Sequence, residues 1–223
     1  ERVGVPVDEV SMIPGTPGFY KTDYTITKPG RVSILIPSCD HSSDLRTCVE
    51  SIYRRSTYED LEIIVIENNS REPATGEYLL LLNNDTEVIS PRWIEEMLMY
   101  AQQDRVGCVG AKLLYPDNTI QHAGIGFGFL TLAAHMHKNF PVGHPGYMGR
   151  LVYAQDVYAV TAACLMVRRS VYEQVNGLDE SFAEAFNDVD FCVRVREAGY
   201  TNVFTPFAQL YHFESKSRGL AES

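Results

Sequence analysis

The chain has 223 residues, of which 45% are hydrophobic and 22% are charged, and its formal net charge is −10. This profile is typical of one globular domain with a full core, or of one domain with an appendage. The acidic balance argues against nucleic acid as a general partner, because binding to a phosphate backbone requires a basic face.

The sequence carries no signal for secretion or membrane insertion. No run of about 18 apolar residues is present, and the first residues do not resemble a signal peptide. The five cysteines are scattered and form no CxxC pair, so we interpret them as reduced core thiols. We expect a cytoplasmic protein, with the inner face of the membrane as the second expected location.

The first predicted elements form a parallel βαβ unit. Residues 1–30 lack sustained periodicity and predict an N-terminal arm or linker, so the main domain is expected at 31–219. Residues 31–37 (RVSILIP) predict a strand, 45–53 an amphipathic helix, and 61–66 (LEIIVI) a second buried strand. A strand, a helix and a strand in this order predict parallel pairing.

The next connection is short for a parallel crossover. Residues 67–77 are about eleven, whereas such a crossover normally takes a dozen or more and includes a helix. Either the strands pair in an unexpected way, or a segment near 71–75 is missing from the chain; we favour the second alternative. The intact mass, compared with 25.1 kDa, tests this hypothesis. Since the chain begins at Glu1 rather than methionine, we also expect further domains of a longer protein.

A third predicted strand ends in polar residues, in the stretch LLLLNNDTEV at 79–88. Ligands of open α/β sheets bind at the carboxyl ends of strands. Three ends qualify here, and they are Pro37-Ser38, Glu67-Asn68 and Asn83-Asn84-Asp85. Asp85 and Glu87 are hard oxygen donors, suited to Mg²⁺ or Mn²⁺ on a diphosphate. The alternative is that Asn84, Asp85 and Thr86 only form a turn and cap the next helix.

The second half predicts more strands and helices and one long loop. The predicted elements are a helix at 91–101, strands at 106–114 and 119–126, a loop at 127–157, a strand at 157–167, a short helix begun by a capping box at 170–173, a helix capped by Asn187 and a strand at 202–204. Irregular loops as long as 127–157 tend to be functional lids.

Three polar positions in this half have two interpretations each. Asp188 and Asp190 lie at the start of a predicted helix, where carboxylates cap the backbone, or where one of them is a general base. His212 is either a half-buried core histidine or a metal ligand. The pair His135 and His137 is a weak indication of a second metal.

The ordered motifs IPSCD, IIVIENNS, GEYLLLLNNDTEV, GAKLLYPDNTIQHAG, AACLMVRRSVYEQVNGLDESF, NDVDFCVRVREAGY and YHFES resemble the inverting family 2 glycosyltransferases with a GT-A fold. The resemblance is particularly to members near bacterial rhamnosyltransferases. The resemblance covers about residues 31–219. It implies an α/β fold with a Rossmann-like, mostly parallel sheet and flanking helices, a nucleotide-binding half at about 31–105 and an acceptor-binding C-terminal half at about 106–219.

The resemblance also implies roles for single residues on the donor side. Asn83-Asn84-Asp85 matches the DxD motif, so Asn84 and Asp85 are expected to bind the nucleotide-sugar and Asp85 to hold the metal. Pro37 and Ser38 match the base pocket. Glu67 matches an acidic residue that holds the nucleoside.

On the acceptor side, Asp188 matches the second residue of the ED motif, the base that deprotonates the acceptor hydroxyl. His212 matches a histidine that completes the metal or diphosphate site. The chain departs from the family pattern in five ways: Asn83 replaces the first Asp of DxD, Asn187 replaces the Glu before the base, Glu67 stands where Asp is common, Ala162 stands where glycine is common, and the helix, strand and Asn-rich stretch that usually precede GEYLLLL are missing.

These features predict a metal-dependent inverting glycosyltransferase of bacterial surface polysaccharide synthesis. The implied cofactor is Mg²⁺ or Mn²⁺, the donor a nucleoside-diphosphate sugar, and the acceptor a glycan or lipid-linked glycan. One rival is a nucleotidyltransferase, but IPSCDHSS is not the glycine-rich, basic phosphate loop that such enzymes usually need. The other is a degenerate domain that binds nucleotide-sugar or glycan within a larger protein, which the changes at Asn83 and Asn187 allow.

Overall fold

The structure is a computed structural model that describes residues 4–38, 42–67, 73–128, 133–179, 181 and 186–213. These residues form thirteen strands and four α-helices. The elements are β1 (Val7–Met12), β2 (Tyr20–Tyr24), β3 (Val32–Pro37), α1 (Ser42–Arg55), β4 (Leu61–Ile66), β5 (Tyr78–Leu82), β6 (Thr86–Val88), α2 (Trp93–Ala101), β7 (Val106–Leu114), β8 (Ile120–His122), β9 (Ile125–Gly126), β10 (Ala134–His135), β11 (Gln155–Val157), β12 (Cys164–Arg168), α3 (Arg169–Gln174), α4 (Asn187–Glu197) and β13 (Thr201–His212).

The central sheet has nine strands, seven of them in the order β11-β13-β7-β12-β5-β3-β4, with β6 paired to β13 and β8 to β7. β3 pairs in parallel with β4 and β5, and β13 with β7, whereas β12 runs antiparallel to both β5 and β7. β11 is antiparallel to β13. Of the seven strands in this order, all except β11 and β12 therefore run in one direction, which confirms the predicted mostly parallel α/β sheet.

Two clusters of buried side chains cover the two faces of this sheet. Alternate residues of β12 show the division, since Met166 packs in the cluster with Trp93 of α2, and Leu165 in the cluster with Phe191 of α4. Successive side chains of a strand point to opposite faces, so a strand covered on both sides is apolar throughout. The four described cysteines are buried free thiols, as predicted.

The N-terminal arm contains a β-hairpin that the sequence analysis does not predict. β1 and β2 pair antiparallel, and most of their side chains are exposed or half-buried. Lys21 of β2 lies 2.6 Å from the Glu96 carboxylate of α2 and 2.7 Å from that of Asp23. The backbone N–H of Thr27 donates to Gln102 at 2.8 Å. The arm is therefore docked onto α2 by these polar contacts and by the ring of Tyr24, which packs edge to face on Tyr100.

The short connection joins two strands that flank the same neighbour. β4 and β5 lie on either side of β3, so the chain passes from one side of β3 to the other between Ile66 and Tyr78. Residues 68–72 lie outside the described residues, and the predicted missing segment near 71–75 overlaps them. β4 and β5 each pair with β3 as in an ordinary parallel sheet, so the strands do not pair in an unexpected way. The missing segment near 71–75 stays a prediction.

Several sequence predictions about the second half are wrong in detail, and the loop predicted at 127–157 contains the short strands β10 and β11. Residues 157–167 are not one strand, because the chain turns between β11 and β12. The strand predicted at 202–204 is the twelve-residue β13, which continues past Pro206 through a register shift between Thr205 and Gln209. The expected capping box does not form, because α3 begins at Arg169 and its N-cap is Arg168, without a side-chain cap. Among the described residues, no helix is both long enough and apolar enough to cross a membrane.

Candidate active site

A cavity of about 710 Å³ lies at the carboxyl ends of β3, β4 and β5. Parallel strands that end at one sheet edge form a crevice there, and 300–1,000 Å³ is the usual range for small-molecule sites. The residues that line it are Leu35, Pro37, Ile66, Leu81, Leu82, Asn83, Asn84, Asp85, Gln121, Ile125, Ala133, Ala134, His135, Thr161, Ala162, Ala163, Tyr172, Leu178, Phe186, Asn187, Asp188, Val189 and His212. This described lining has two carboxylates and neither lysine nor arginine.

Asp85 and His212 meet because of the way two strands pair. β5 ends at Leu82, a turn follows, and β6 begins at Thr86. β6 pairs antiparallel with the end of β13, in a register that sets His212 beside Thr86. The Nε2 of His212 consequently lies 3.2 Å from the Oδ1 of Asp85, and both side chains are largely buried. The amide of Asn83 contacts the same Nε2 at 3.2 Å.

This arrangement fits a divalent ion. Two neighbouring ligand atoms of an octahedral ion, each about 2.1 Å from it, are about 3.0 Å apart, close to the observed separation of Asp85 Oδ1 and His212 Nε2. A carboxylate and an imidazole are both suitable for Mn²⁺, and the carboxylate also for Mg²⁺. Among the described residues, no group of three or more His, Cys, Asp or Glu side chains is close enough to hold an ion. An ion held by this pair would therefore take its remaining ligands from other groups, such as water.

Asp188 occupies the first turn of α4 at the wall of the same cavity. Its Oδ1 accepts the N–H of Val189 at 2.8 Å, and its Oδ2 accepts the N–H of Ala162 at 3.1 Å. The helix N-terminus and these two donors stabilise the charged carboxylate. Phe186, which precedes the helix, has a left-handed φ of 68° and is half-exposed. Asn187 is the first residue of α4 and not its cap, contrary to the prediction.

The two carboxylates are connected through one turn between β11 and β12. Ala163 accepts the N–H of Asn83 through its carbonyl at 3.1 Å, and the neighbouring Ala162 donates to Asp188. The turn thus ties the loop that carries Asp85 to the start of α4. Neither contact is local in sequence.

The structure brings together five of the seven predicted site residues. Pro37, Asn84, Asp85, Asp188 and His212 all line the cavity. The other two, Ser38 and Glu67, are not in its described lining, although the N–H of Ser38 donates to Ile66, directly before Glu67, at 3.0 Å.

The sequence analysis missed a second pair of histidines. His135 lines the cavity and contacts His122, with 2.8 Å between their Nδ1 atoms. His137 accepts the N–H of Tyr147 instead, so the two histidines of the His135-x-His137 pattern have different partners. The quoted motif QHAG contains His122, but no local pattern indicates its contact with His135.

Solved structures with the same architecture belong to the GT-A class of glycosyltransferases. A mannosyltransferase from Pyrobaculum calidifontis, in complex with GDP-Man and Mn²⁺, has a TM-score of 0.60 and 13% identity, over 87% of this chain and 59% of that chain. GalNAc-T7, with UDP, GalNAc and Mn²⁺, has a TM-score of 0.64 and 13% identity, over 87% and 45%. The predicted GT-A fold is confirmed.

A family model described as glycosyltransferase-like family 2 matches residues 68–223. The chain belongs to this family, as the sequence motifs predicted.

Three relatives in bacteria are similar over most of the chain. An uncharacterized protein of Sinorhizobium fredii is 44% identical over 226 residues, which cover 84% of this chain and 25% of the relative. The O-antigen biosynthesis protein of Myxococcus xanthus is 33% identical over 235 residues, 89% of this chain and 18% of the relative. An N-acetylglucosaminyl-diphospho-decaprenol L-rhamnosyltransferase of Mycobacterium tuberculosis is 27% identical over 157 residues, 66% of this chain and 50% of the relative.

The chain therefore spans half or less of the length of these relatives. The first alignment also has more positions than this chain has residues, although only 84% of the chain takes part. The relative consequently carries residues that have no counterpart here, and the missing segment near 71–75 stays a prediction.

Proposed function

We propose that this chain is the catalytic domain of a metal-dependent inverting glycosyltransferase, which moves a sugar from a nucleoside-diphosphate sugar to a hydroxyl of a glycan or lipid-linked glycan. The observation that carries the proposal is one cavity, at the carboxyl edge of a GT-A sheet, lined by both the Asp85–His212 pair and Asp188.

Electrostatics supports the metal. A diphosphate brings negative charge into a cavity whose described lining has two carboxylates and neither lysine nor arginine. Without a cation, the repulsion between these charges would be large in a site of reduced dielectric. Asp85 and His212 would hold Mg²⁺ or Mn²⁺, and the diphosphate would supply further ligands. When bound, such an ion would offset the charge that develops on the leaving diphosphate.

Asp188 is proposed as the general base. The acceptor hydroxyl gives its proton to the carboxylate while its oxygen forms a bond to the anomeric carbon. The bond between that carbon and the diphosphate oxygen breaks on the opposite face, and the configuration inverts. Besides Asp85, Asp188 is the sole carboxylate of the described lining, which suits direct displacement better than a covalent intermediate on a second carboxylate.

The biological role is proposed from the relatives. One is named for O-antigen biosynthesis and another for rhamnosyl transfer to a lipid-linked sugar, and both point to bacterial surface polysaccharide. On this basis we infer an enzyme with a glycan or lipid-linked glycan as acceptor.

The test is donor turnover. The protein is incubated with UDP-, GDP- and dTDP-sugars, with and without Mn²⁺, and release of nucleoside diphosphate is measured before and after acceptor sugars are added. We expect metal-dependent release from one donor, accelerated by an acceptor. If a donor binds but is never consumed with any acceptor tested, the chain is a nucleotide-sugar-binding domain and the proposed activity is wrong.

A further inference from the structure

Another cavity, of about 340 Å³, lies between the N-terminal arm and the main domain. Its size is at the lower end of the usual range for small-molecule sites. No described residue lines both this cavity and the one that contains Asp85 and Asp188, so the two are separate. The residues that line it are Gly18, Phe19, Tyr20, Lys21, Thr22, Tyr24, Tyr100, Arg105, Tyr153, Ala154, Gln155, Asp156, Val203 and Phe207.

Aromatic side chains form much of this lining. They are six of its fourteen residues, whereas aromatic residues make up 11% of the whole chain. Phe19 of the arm stacks on Tyr153 of the main domain, with ring centroids 5.5 Å apart and an angle of 13° between the planes. Both are half-buried, and Tyr20 is 58% exposed. Aromatic residues that stay partly exposed in a cavity offer apolar surface to a ligand.

The lining also has polar groups that are free to bind a ligand. No described residue makes a hydrogen bond to the hydroxyl of Tyr20 or to that of Tyr153. The Arg105 guanidinium lies 3.9 Å from the Asp156 carboxylate, which is beyond hydrogen-bond distance, and both side chains are about half exposed. These groups are therefore hydrated, and a ligand can replace their water without breaking a hydrogen bond within the protein.

The balanced charges of the lining favour an uncharged ligand. Lys21 lies 2.7 Å from the Asp23 carboxylate and 2.6 Å from that of Glu96, and Arg105 lies next to Asp156. A phosphate would need a surplus of positive charge to compensate for its lost hydration. A sugar needs none, because its hydroxyls form hydrogen bonds at the edge of the ring while the C–H groups of its face pack on aromatic side chains.

We propose that this cavity is a second sugar-binding site, which holds a short neutral saccharide against Tyr20 of the arm and Tyr153 of the main domain. The inference goes beyond the proposed function, because no step of the transfer needs this site. Since the walls come from the arm and from the main domain, a bound saccharide would bridge the two and strengthen their contact.

The first test measures the binding of methyl glycosides of glucose, galactose, mannose, rhamnose and N-acetylglucosamine by NMR titration. It compares the wild type with Tyr20→Ala and Tyr20→Phe. The matched control is Tyr53→Ala, which removes a tyrosine that is 70% exposed and lines neither cavity. Because Tyr20 is exposed and makes no described polar side-chain contact, its variants should stay folded.

We expect Tyr20→Ala to weaken the affinity for a glycoside about tenfold, because the packing of the sugar on the ring is lost. Tyr20→Phe keeps the ring and loses one neutral hydrogen bond, so its affinity should fall by about threefold or less. The control should bind like the wild type. Tyr20→Ala should also turn over the donor at the wild-type rate, since Tyr20 does not line the proposed active site.

Two results of this titration would overturn the proposal. One is that none of the glycosides binds the wild type at millimolar concentration. The other is that Tyr20→Ala binds as tightly as the control, which would place the sugar elsewhere, for example in the first cavity. Because binding is measured without turnover, an inactive protein with the expected binding pattern would refute the proposed function and still support this inference.

The second test measures the predicted bridge by hydrogen exchange and mass spectrometry. A bound glycoside should slow amide exchange in residues 18–24 of the arm and 153–156 of the main domain together, and this protection should be weaker in Tyr20→Ala at the same glycoside concentration. Protection of only one of these two walls, or equal protection in the wild type and Tyr20→Ala, would overturn the inference.

Discussion

The substitution Asp188→Asn separates a catalytic role of this side chain from a structural one. The asparagine oxygen can still accept one of the two N–H groups, from Val189 or from Ala162, but its NH₂ group faces the other. One lost hydrogen bond costs about 0.5–1.5 kcal/mol, and the lost charge at the N-terminus of α4 about 0.3–1 kcal/mol. We expect about 1–2 kcal/mol of lost stability in total.

Such a loss leaves the protein folded, since a domain of this kind is stable by about 5–15 kcal/mol. The melting temperature should fall by about 2–8 °C. Catalysis should fall far more, because a positioned base contributes about 10²- to 10⁴-fold in rate, which corresponds to about 2.7–5.4 kcal/mol of transition-state stabilisation. Donor binding should persist.

The assay measures kcat, donor binding and melting temperature with the donor that the turnover panel identifies. Asp190→Asn is the matched control, because it removes the same charge from the same helical turn, yet Asp190 pairs with Arg194 at 2.7 Å and is not in the described cavity lining. We expect its kcat to stay within a few-fold of the wild type. Wild-type turnover by Asp188→Asn, or an equal loss in Asp190→Asn, would refute the assignment.

Two further predictions concern the start of β5. Gly76→Ala should destabilise the fold by about 1–3 kcal/mol, because its Cβ would lie 2.6 Å from the Ser33 Oγ, 2.7 Å from the Ser33 backbone nitrogen and closer still to the Arg31 carbonyl oxygen. Chemical denaturation measures this loss, and Gly143→Ala is the control, because its Cβ meets nothing within 4 Å. Equal stability of the two variants would contradict the prediction. The Glu62 carboxylate accepts hydrogen bonds from Ser33 at 2.6 Å and from Thr75, which lower its pKa from 4.5 to about 2. The ionised Glu62 contributes about 1 kcal/mol to the free energy of unfolding at neutral pH, after allowance for solvent. This contribution is present above about pH 4.5 and is lost as the pH falls towards 2, so Glu62→Gln should lose stability at pH 7 and show a shallower acid transition than the wild type. Parallel curves of stability against pH for the two proteins would contradict this cause.

The first half of the fold is predictable because its signals are local. β3, β4 and β5 are short β-branched or leucine-rich runs with clear ends, and the helix between the first two has a regular apolar spacing. The position of Asp85 at a strand end follows from the same pattern. Its pairing with His212 followed only from the family resemblance, because 127 residues separate them and the β6–β13 register joins them.

The elements that the sequence analysis missed depend on non-local contacts. The N-terminal hairpin exposes most of its side chains and is held by partners such as Glu96 and Gln102, so its own residues give no apolar pattern. β13 continues past Pro206, which is a strand-breaking signal, because a register shift accommodates the proline. The contact of His122 with His135 depends on two-residue strands that no periodicity identifies.

The central claim is that one cavity combines a metal-dependent diphosphate site and a separate base. Calorimetric titration of the selected sugar nucleotide, with and without Mn²⁺, tests this claim most directly. It is carried out on the wild type, Asp85→Asn and Asp188→Asn. The account predicts that Asp85→Asn loses the Mn²⁺-dependent part of the affinity, whereas Asp188→Asn binds like the wild type but does not turn over. Unchanged Mn²⁺-dependent affinity in Asp85→Asn would contradict it.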